Sequence, residues 1–184
     1  RLCWRDFHHQ VTRAFPAIRR RDYRPRRGRR WTDDKEAMEA WREGRTGLPI
    51  VDAAMRQLAA EGWLHDRARL IVAAYLTRCL GLDWRIGADH FAEHLLDADV
   101  AVNCGSWQWV AGTGNDTRPG RAFNPVRQAK RFDPDGDYVR RHVPELAHLP
   151  RSLIHEPWKV SAVRDYPSPI TLSWERADQA IRED

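Results

Sequence analysis

The chain has 184 residues, 42% apolar and 31% charged, a balance that supports one soluble domain with a buried core and excludes a disordered tail. Lys and Arg number 31 against 26 Asp and Glu, and apart from Lys35, Lys130 and Lys159 every cation is an arginine, so the net charge of +5 favours a polyanionic partner. No apolar run approaches the roughly 20 residues a membrane helix needs, no leader is visible, and Cys3, Cys79 and Cys104 are too scattered for a disulfide framework or a zinc site. A reducing, cytoplasmic compartment and no metal are therefore expected.

Leu2, Trp4, Phe7, Val11, Ala14 and Phe15 recur at steps of mostly three and four, which predicts an amphipathic helix over 1–15 stopped by Pro16. The chain thus begins inside an element. Eight arginines between Arg19 and Arg30, with Pro25 and Gly28, read as an exposed basic loop. Ile50, Val51, Ala54, Met55 and Leu58 predict a helix that starts at Pro49 and ends near Gly62. The next runs from about Asp66 to Cys79 with Gly81 as its cap, and Trp84, Ala88, Phe91 and Leu95 mark a third over 83–96. Pro- and Gly-rich connections follow at 112–125 and 144–170, and Ser173 caps what reads as a last helix. No segment alternates with period two, and no repeat or second domain is present. The fold class is all-α.

Nine tryptophans, Trp4, Trp31, Trp41, Trp63, Trp84, Trp107, Trp109, Trp158 and Trp174, are the outlier in composition. Indole serves as core anchor, as stacking platform for bases and as oxidisable electron donor. Two of them lie in "DADVAVNCGSWQWVAGTGND", residues 97–116. Side chains two apart on a helix diverge by about 200°, so Trp107 and Trp109 should meet different surroundings. Asp97 and Asp99 fall where a helix ends, a place the macrodipole makes unfavourable for carboxylates, and Arg67 and Arg69 are the candidate partners. A carboxylate held by arginine while accepting an N–H would suit a planar heterocycle; a structural ion pair explains the same residues.

The motifs "LCWRDF" (2–7), "EGRTGLPIVDAAMRQLAAEGWLHDRARL" (43–70), "DWRIGADHF" (83–91), "LLDADVAVNCGSWQWVAGTGND" (95–116) and "FNPVRQAKRFDPDGDYVRRHVPEL" (123–146) resemble, in order and spacing, the C-terminal part of the FAD-binding domain of the DNA photolyase and cryptochrome family, in its bacterial class I form. The resemblance implies a multi-helix FAD domain over 1–184, incomplete on its N-terminal side. The family's α/β antenna domain and its Ser/Thr-rich phosphate clamp lie outside this sequence. It also implies light-driven splitting of cyclobutane pyrimidine dimers by a monomeric lyase that flips the dimer out of damaged DNA.

By the same resemblance Arg69, Asp97, Ala98, Asp99 and Asn103 hold the flavin, with Asn103 at its N5, and Trp31, Trp84 and Trp107 form an electron relay. Trp4 and Trp109 stack on the dimer, and Arg5, Asp66, Arg67, Leu70, Arg121 and Gln128 fall at DNA-facing positions. Plain readings stand beside these roles: Trp84 as core, Trp31 as surface anchor, Arg121 as solvated loop and His65 as a structural residue at a helix start. Five positions depart from the family pattern: Arg1 for glutamate, Asp66 for asparagine, Leu70 for methionine, Ala98 for glycine and Cys104 for asparagine or a small residue. A signalling cryptochrome and a helical interaction module without cofactor are the rival functions.

Overall fold

A computed structural model describes residues 2–25, 31–115, 124–160, 163 and 165–172. Among them lie eight α-helices and no strand: α1 (Leu2–Ala14), α2 (Lys35–Arg42), α3 (Pro49–Glu61), α4 (Asp66–Ala74), α5 (Trp84–His94), α6 (Val100–Ala111), α7 (Pro125–Phe132) and α8 (Asp137–His142). The expected last helix after Ser173 lies outside the described residues.

Local chemistry sets the helix ends. Asp34, Asp83, Asp99 and Asn124 each accept a backbone N–H at the start of α2, α5, α6 and α7. α3 opens on Pro49 and closes on Gly62, whose φ of 64° lies in the left-handed region. His65 caps α4 by accepting the Arg67 N–H on Nδ1, so the plain structural reading of this histidine fits.

The predicted helix from Asp66 to Cys79 is not uniform. After Ala74 it widens into a π-helical turn, Tyr75–Cys79, closed by a Leu80 N–H to Tyr75 O bond of 3.0 Å. Thr77 Oγ1 donates to Ala73 O and Trp41 Nε1 to Val72 O, so the carbonyls leading into this turn serve side chains as well as backbone. Gly81 does take positive φ, 70°, but after the π turn rather than as a simple α-cap.

α6 is the central helix. It packs against α5, α1 and α4, and because neighbours surround it, it buries Ala101, Cys104, Gly105, Trp107, Gln108, Val110 and Ala111 from several sides rather than along one stripe. The main core gathers α2 to α6 around Trp41, Met55, Leu58, Tyr75, Trp84 and Trp107; a smaller cluster of Ala53, Val139, Val143, Leu146, Leu149 and Ile154 joins α3 to α8. α1 buries no residue of its own and lies along α6 with Leu2, Trp4 and Phe7 exposed. The stretch 165–172 returns to the start of α3, where Ile170 N–H donates to Thr46 O and Tyr166 OH to the buried Asp52 carboxylate.

The arginine-rich connection is less free than its composition suggests. Its described part runs through a 3-10 turn, Pro16–Arg19, whose neighbourhood is pinned to the core through its backbone. Gln108, fully buried, donates to Ile18 O and Arg21 O and accepts from Tyr23 N. The guanidinium groups of Arg19, Arg20, Arg21 and Arg24 stay outside, while the peptide groups beneath them are held.

Candidate functional site

The turn between α5 and α6 concentrates the polar chemistry. Asp97 lies in it, and Arg69 of α4 reaches both carboxylate oxygens with Nη2, at 2.9 and 2.8 Å, while its Nε donates to Leu64 O. Of the two arginines proposed as partners, Arg69 takes this role; Arg67 instead lies over the Phe132 ring at 4.6 Å. Both Arg67 and Arg69 are half-buried, whereas Asp66 is exposed in the first turn of α4, where a carboxylate complements the helix dipole.

Asp99 corrects the sequence reading. It stands at the start of a helix, not at an end: Oδ1 accepts the Val102 N–H at 3.0 Å and Oδ2 meets His9 Nε2 at 2.7 Å. Burial works against its charge, yet the Val102 N–H and His9 outweigh that and hold the carboxyl below its usual range. The macrodipole therefore favours this carboxylate. Ala98, exposed between the two aspartates, does not adopt positive φ, since Asp165 is the only non-glycine that does so among the described residues; the departure from glycine brings no strain here.

Asn103 sits one turn into α6. Its amide NH2 donates to Ala88 O of α5 at 2.7 Å, which fixes the orientation of the group and leaves Oδ1 as the acceptor. Cys104 is buried beside it with Sγ 3.9 Å from Arg19 O, and burial raises its thiol pKa.

Trp107 and Trp109 diverge as the helical period requires. Trp107 is 2% exposed, edge-on to Phe91 at 5.0 Å and to Trp41 at 6.1 Å, and flat against Gly87, where an added Cβ would come within 2.0 Å of the ring. Trp84, one turn before Gly87 on α5, is fully buried, and its Nε1 donates to Asp22 at 2.8 Å. Trp31 is half-buried against the same core, and so is Trp109. Trp4 is 64% exposed on α1, edge-on to Phe7 and tilted over His8, and Arg5 beside it pairs with Asp6. Leu70 and Gln128 are half-buried; Gln128 Oε1 is buried with no partner among the described residues. Arg1 and Arg121 lie outside the described residues.

Three participants escaped the sequence reading. His9 is the partner of Asp99, Asp22 is the lone acid in the arginine run and the acceptor for Trp84, and Gln108 is the buried clamp of that run. Only Asp22 carried a signal, as the single acid between Arg19 and Arg30.

Fold and site define an all-helical domain whose central helix carries an acceptor edge at its start and two differently placed indoles near its end. Over residues 1–183 the chain matches the family described as the FAD binding domain of DNA photolyase, and it belongs to that family. It is 58% identical over 173 residues to a deoxyribodipyrimidine photo-lyase of Streptomyces griseus, covering 92% of this chain and 38% of that protein. Among solved structures it resembles a bacterial class III photolyase from Agrobacterium tumefaciens, with a TM-score of 0.90 and 40% identity over 99% of this chain and 42% of that one. An archaeal photolyase from Sulfolobus tokodaii, solved with two FAD molecules, gives a TM-score of 0.91 at 40% identity over 98% of this chain and 42% of that one. The chain thus spans about two fifths of the length of these relatives.

Proposed function

We propose that this chain is part of a light-driven lyase that splits cyclobutane pyrimidine dimers in damaged DNA, with FAD held against the start of α6. The observation that carries this reading is a run of three side-chain acceptors, Asp97, Asp99 and Asn103, each held in place: Asp97 and Asp99 accept from Arg69 and from His9 with the Val102 N–H, while the Asn103 amide donates to Ala88 O and so presents its Oδ1. Such fixed acceptors fit the N–H edge of a planar, electron-carrying ring. FAD bound there in its reduced form would supply, on illumination, the electron that opens the dimer and would take it back once the two bases part.

Each residue then has a task. Arg69 neutralises and aims Asp97, and His9 aims Asp99 through its 2.7 Å contact with Oδ2. Asn103 Oδ1 would accept an N–H without adding charge, and the short Ala98 side chain would leave the backbone between the aspartates open to the ring. Trp107, Trp84 and Trp31 would carry electrons from the surface to a flavin that has become oxidised, with the Asp22 carboxylate stabilising positive charge on the Trp84 indole. The arginine excess draws the polyanion in, Trp4 and Trp109 stack on the extruded bases, and Arg5, Arg67, Leu70, Asp66, Gln128 and Arg121 line the approach, with base extrusion as photolyases generally perform it. In this reading the protein works as a monomer in the cytoplasm.

The exposed Asp66 carboxylate favours a second reading, a flavin-dependent signalling protein that does not grip DNA. Two measurements decide. A flavin absorption band after reconstitution with FAD supports both light-dependent readings, and its absence sinks both for this chain. Loss of dimers under blue light then supports repair, whereas flavin binding without dimer splitting supports signalling.

A further inference from the structure

On the outer face of α5, His90, Glu93 and His94 place one ligand atom each within 4.8 Å of the others. The spacing explains it: residues at i, i+3 and i+4 share one face of a helix, and two histidines four apart are the spacing used by helical zinc motifs. In the sequence this "HFAEH" segment (90–94) reads as part of an amphipathic helix, because its apolar stripe dominates the pattern.

His94 is oriented as a ligand. Its Nδ1 lies 2.9 Å from His90 O, and a carbonyl can only accept, so Nδ1 donates there and, in the neutral ring, Nε2 is the nitrogen left for a metal. Metal-bound histidines characteristically anchor their other nitrogen on a backbone carbonyl in this way. The His90 ring lies 4.1 Å from the His94 ring at 30° and rests edge-on against the buried Trp41 at 5.4 Å, which limits its rotation. Glu93 and His94 are exposed, so an ion can reach them.

We propose that His90, Glu93 and His94 form a binding site for one divalent transition-metal ion, Zn²⁺ being the natural occupant. Two imidazoles and one carboxylate are a borderline donor set, suited to Zn²⁺, Ni²⁺ or Cu²⁺ and poor for Mg²⁺ or Ca²⁺, which ask for more oxygen ligands. With three protein ligands the coordination is completed by water, as in open zinc sites. Arg42 lies near enough to act on His90, and although Glu39 pairs with it, its charge opposes an incoming cation. Binding is therefore weaker than at a closed four-ligand site. The ion would clamp the last turn of α5, whose other face carries Phe91 against Trp107 and which leads directly into the Asp97 turn. The site requires no flavin.

Titration calorimetry of the chain with Zn²⁺, its thiols kept reduced, tests the assignment. One equivalent should bind, and His94→Ala should weaken binding by roughly tenfold or more, with Glu93→Gln giving a smaller loss. Both side chains are exposed, so circular dichroism should show both variants folded as the parent. The assignment is overturned if Zn²⁺ gives no saturable binding, if both variants bind as tightly as the parent, or if Cys3→Ser and not His94→Ala removes the site.

Discussion

Trp109 and Gly105 show how much a single position on α6 can decide. Trp109 is half-buried two residues from the enclosed Trp107, and the proposed role has it stacking on extruded bases. Trp109→Ala should cost about 1–3 kcal/mol of affinity for dimer-containing DNA and leave FAD retention near the parent level; equal loss of both would mark the indole as core. Gly105 has a different task, since a Cβ there would come within 2.1 Å of His8 Nδ1 where α1 lies on α6. Gly105→Ala should destabilise the fold by about 1–3 kcal/mol, read from the denaturant midpoint. Packing of this kind leaves no trace in the sequence, where Gly105 is one glycine among eleven. The Asp97 and Arg69 pair was legible because residue type and family register agreed. The His9 and Asp99 pair was not, because the two lie 90 positions apart.

At the scale of the element, the contact between α1 and α6 should be sensitive to acid. Burial pulls the His8 pKa below its ordinary value of 6.5, with Asp99 acting the other way and His9 reinforcing the shift. As pH falls below 6.5 the unfolded chain takes up this proton first, so stability falls until the lowered folded pKa is reached and is fully present above 6.5. His8→Asn should flatten the slope of stability against pH in this window, as measured by denaturant unfolding at a series of pH values; an unchanged slope would remove His8 as its source. Helices with one apolar stripe, α1, α3 and α5, were readable from spacing to within a few residues of their ends. α6 offers no stripe because neighbours enclose it, and periodicity does not mark its start: Asp99, which spacing places at the end of α5, caps the next helix. The π turn at Tyr75–Cys79 was equally hidden, since it depends on which carbonyls Trp41 and Thr77 engage across the fold.

For the whole molecule, the all-α class followed from the lack of any period-two segment, whereas the return of 165–172 to the start of α3 lay beyond periodicity. Gly47, at φ 77°, leaves no room for a side chain there: a Cβ would come within 2.4 Å of Ser168 O. The buried Asp52 accepts from Thr46 N, Thr46 Oγ1, Gly47 N and Tyr166 OH. Burial drives its carboxyl upward, and the Thr46 hydroxyl, the Tyr166 OH, the Thr46 N–H and the charge of Arg56 work against that rise. The bond from Tyr166 to Asp52 spans 114 positions of sequence, and this gives the domain an order of assembly. A loop that long must lose its closure entropy before the bond can form, so local helix pairs should come first and the returning segment last. Interactions absent from the folding barrier govern how slowly a native chain comes apart. Tyr166→Phe should therefore speed unfolding in stopped-flow measurements while the refolding rate stays near that of the parent. The segment 165–172 acts as a latch on the finished domain, setting its lifetime rather than its speed of formation.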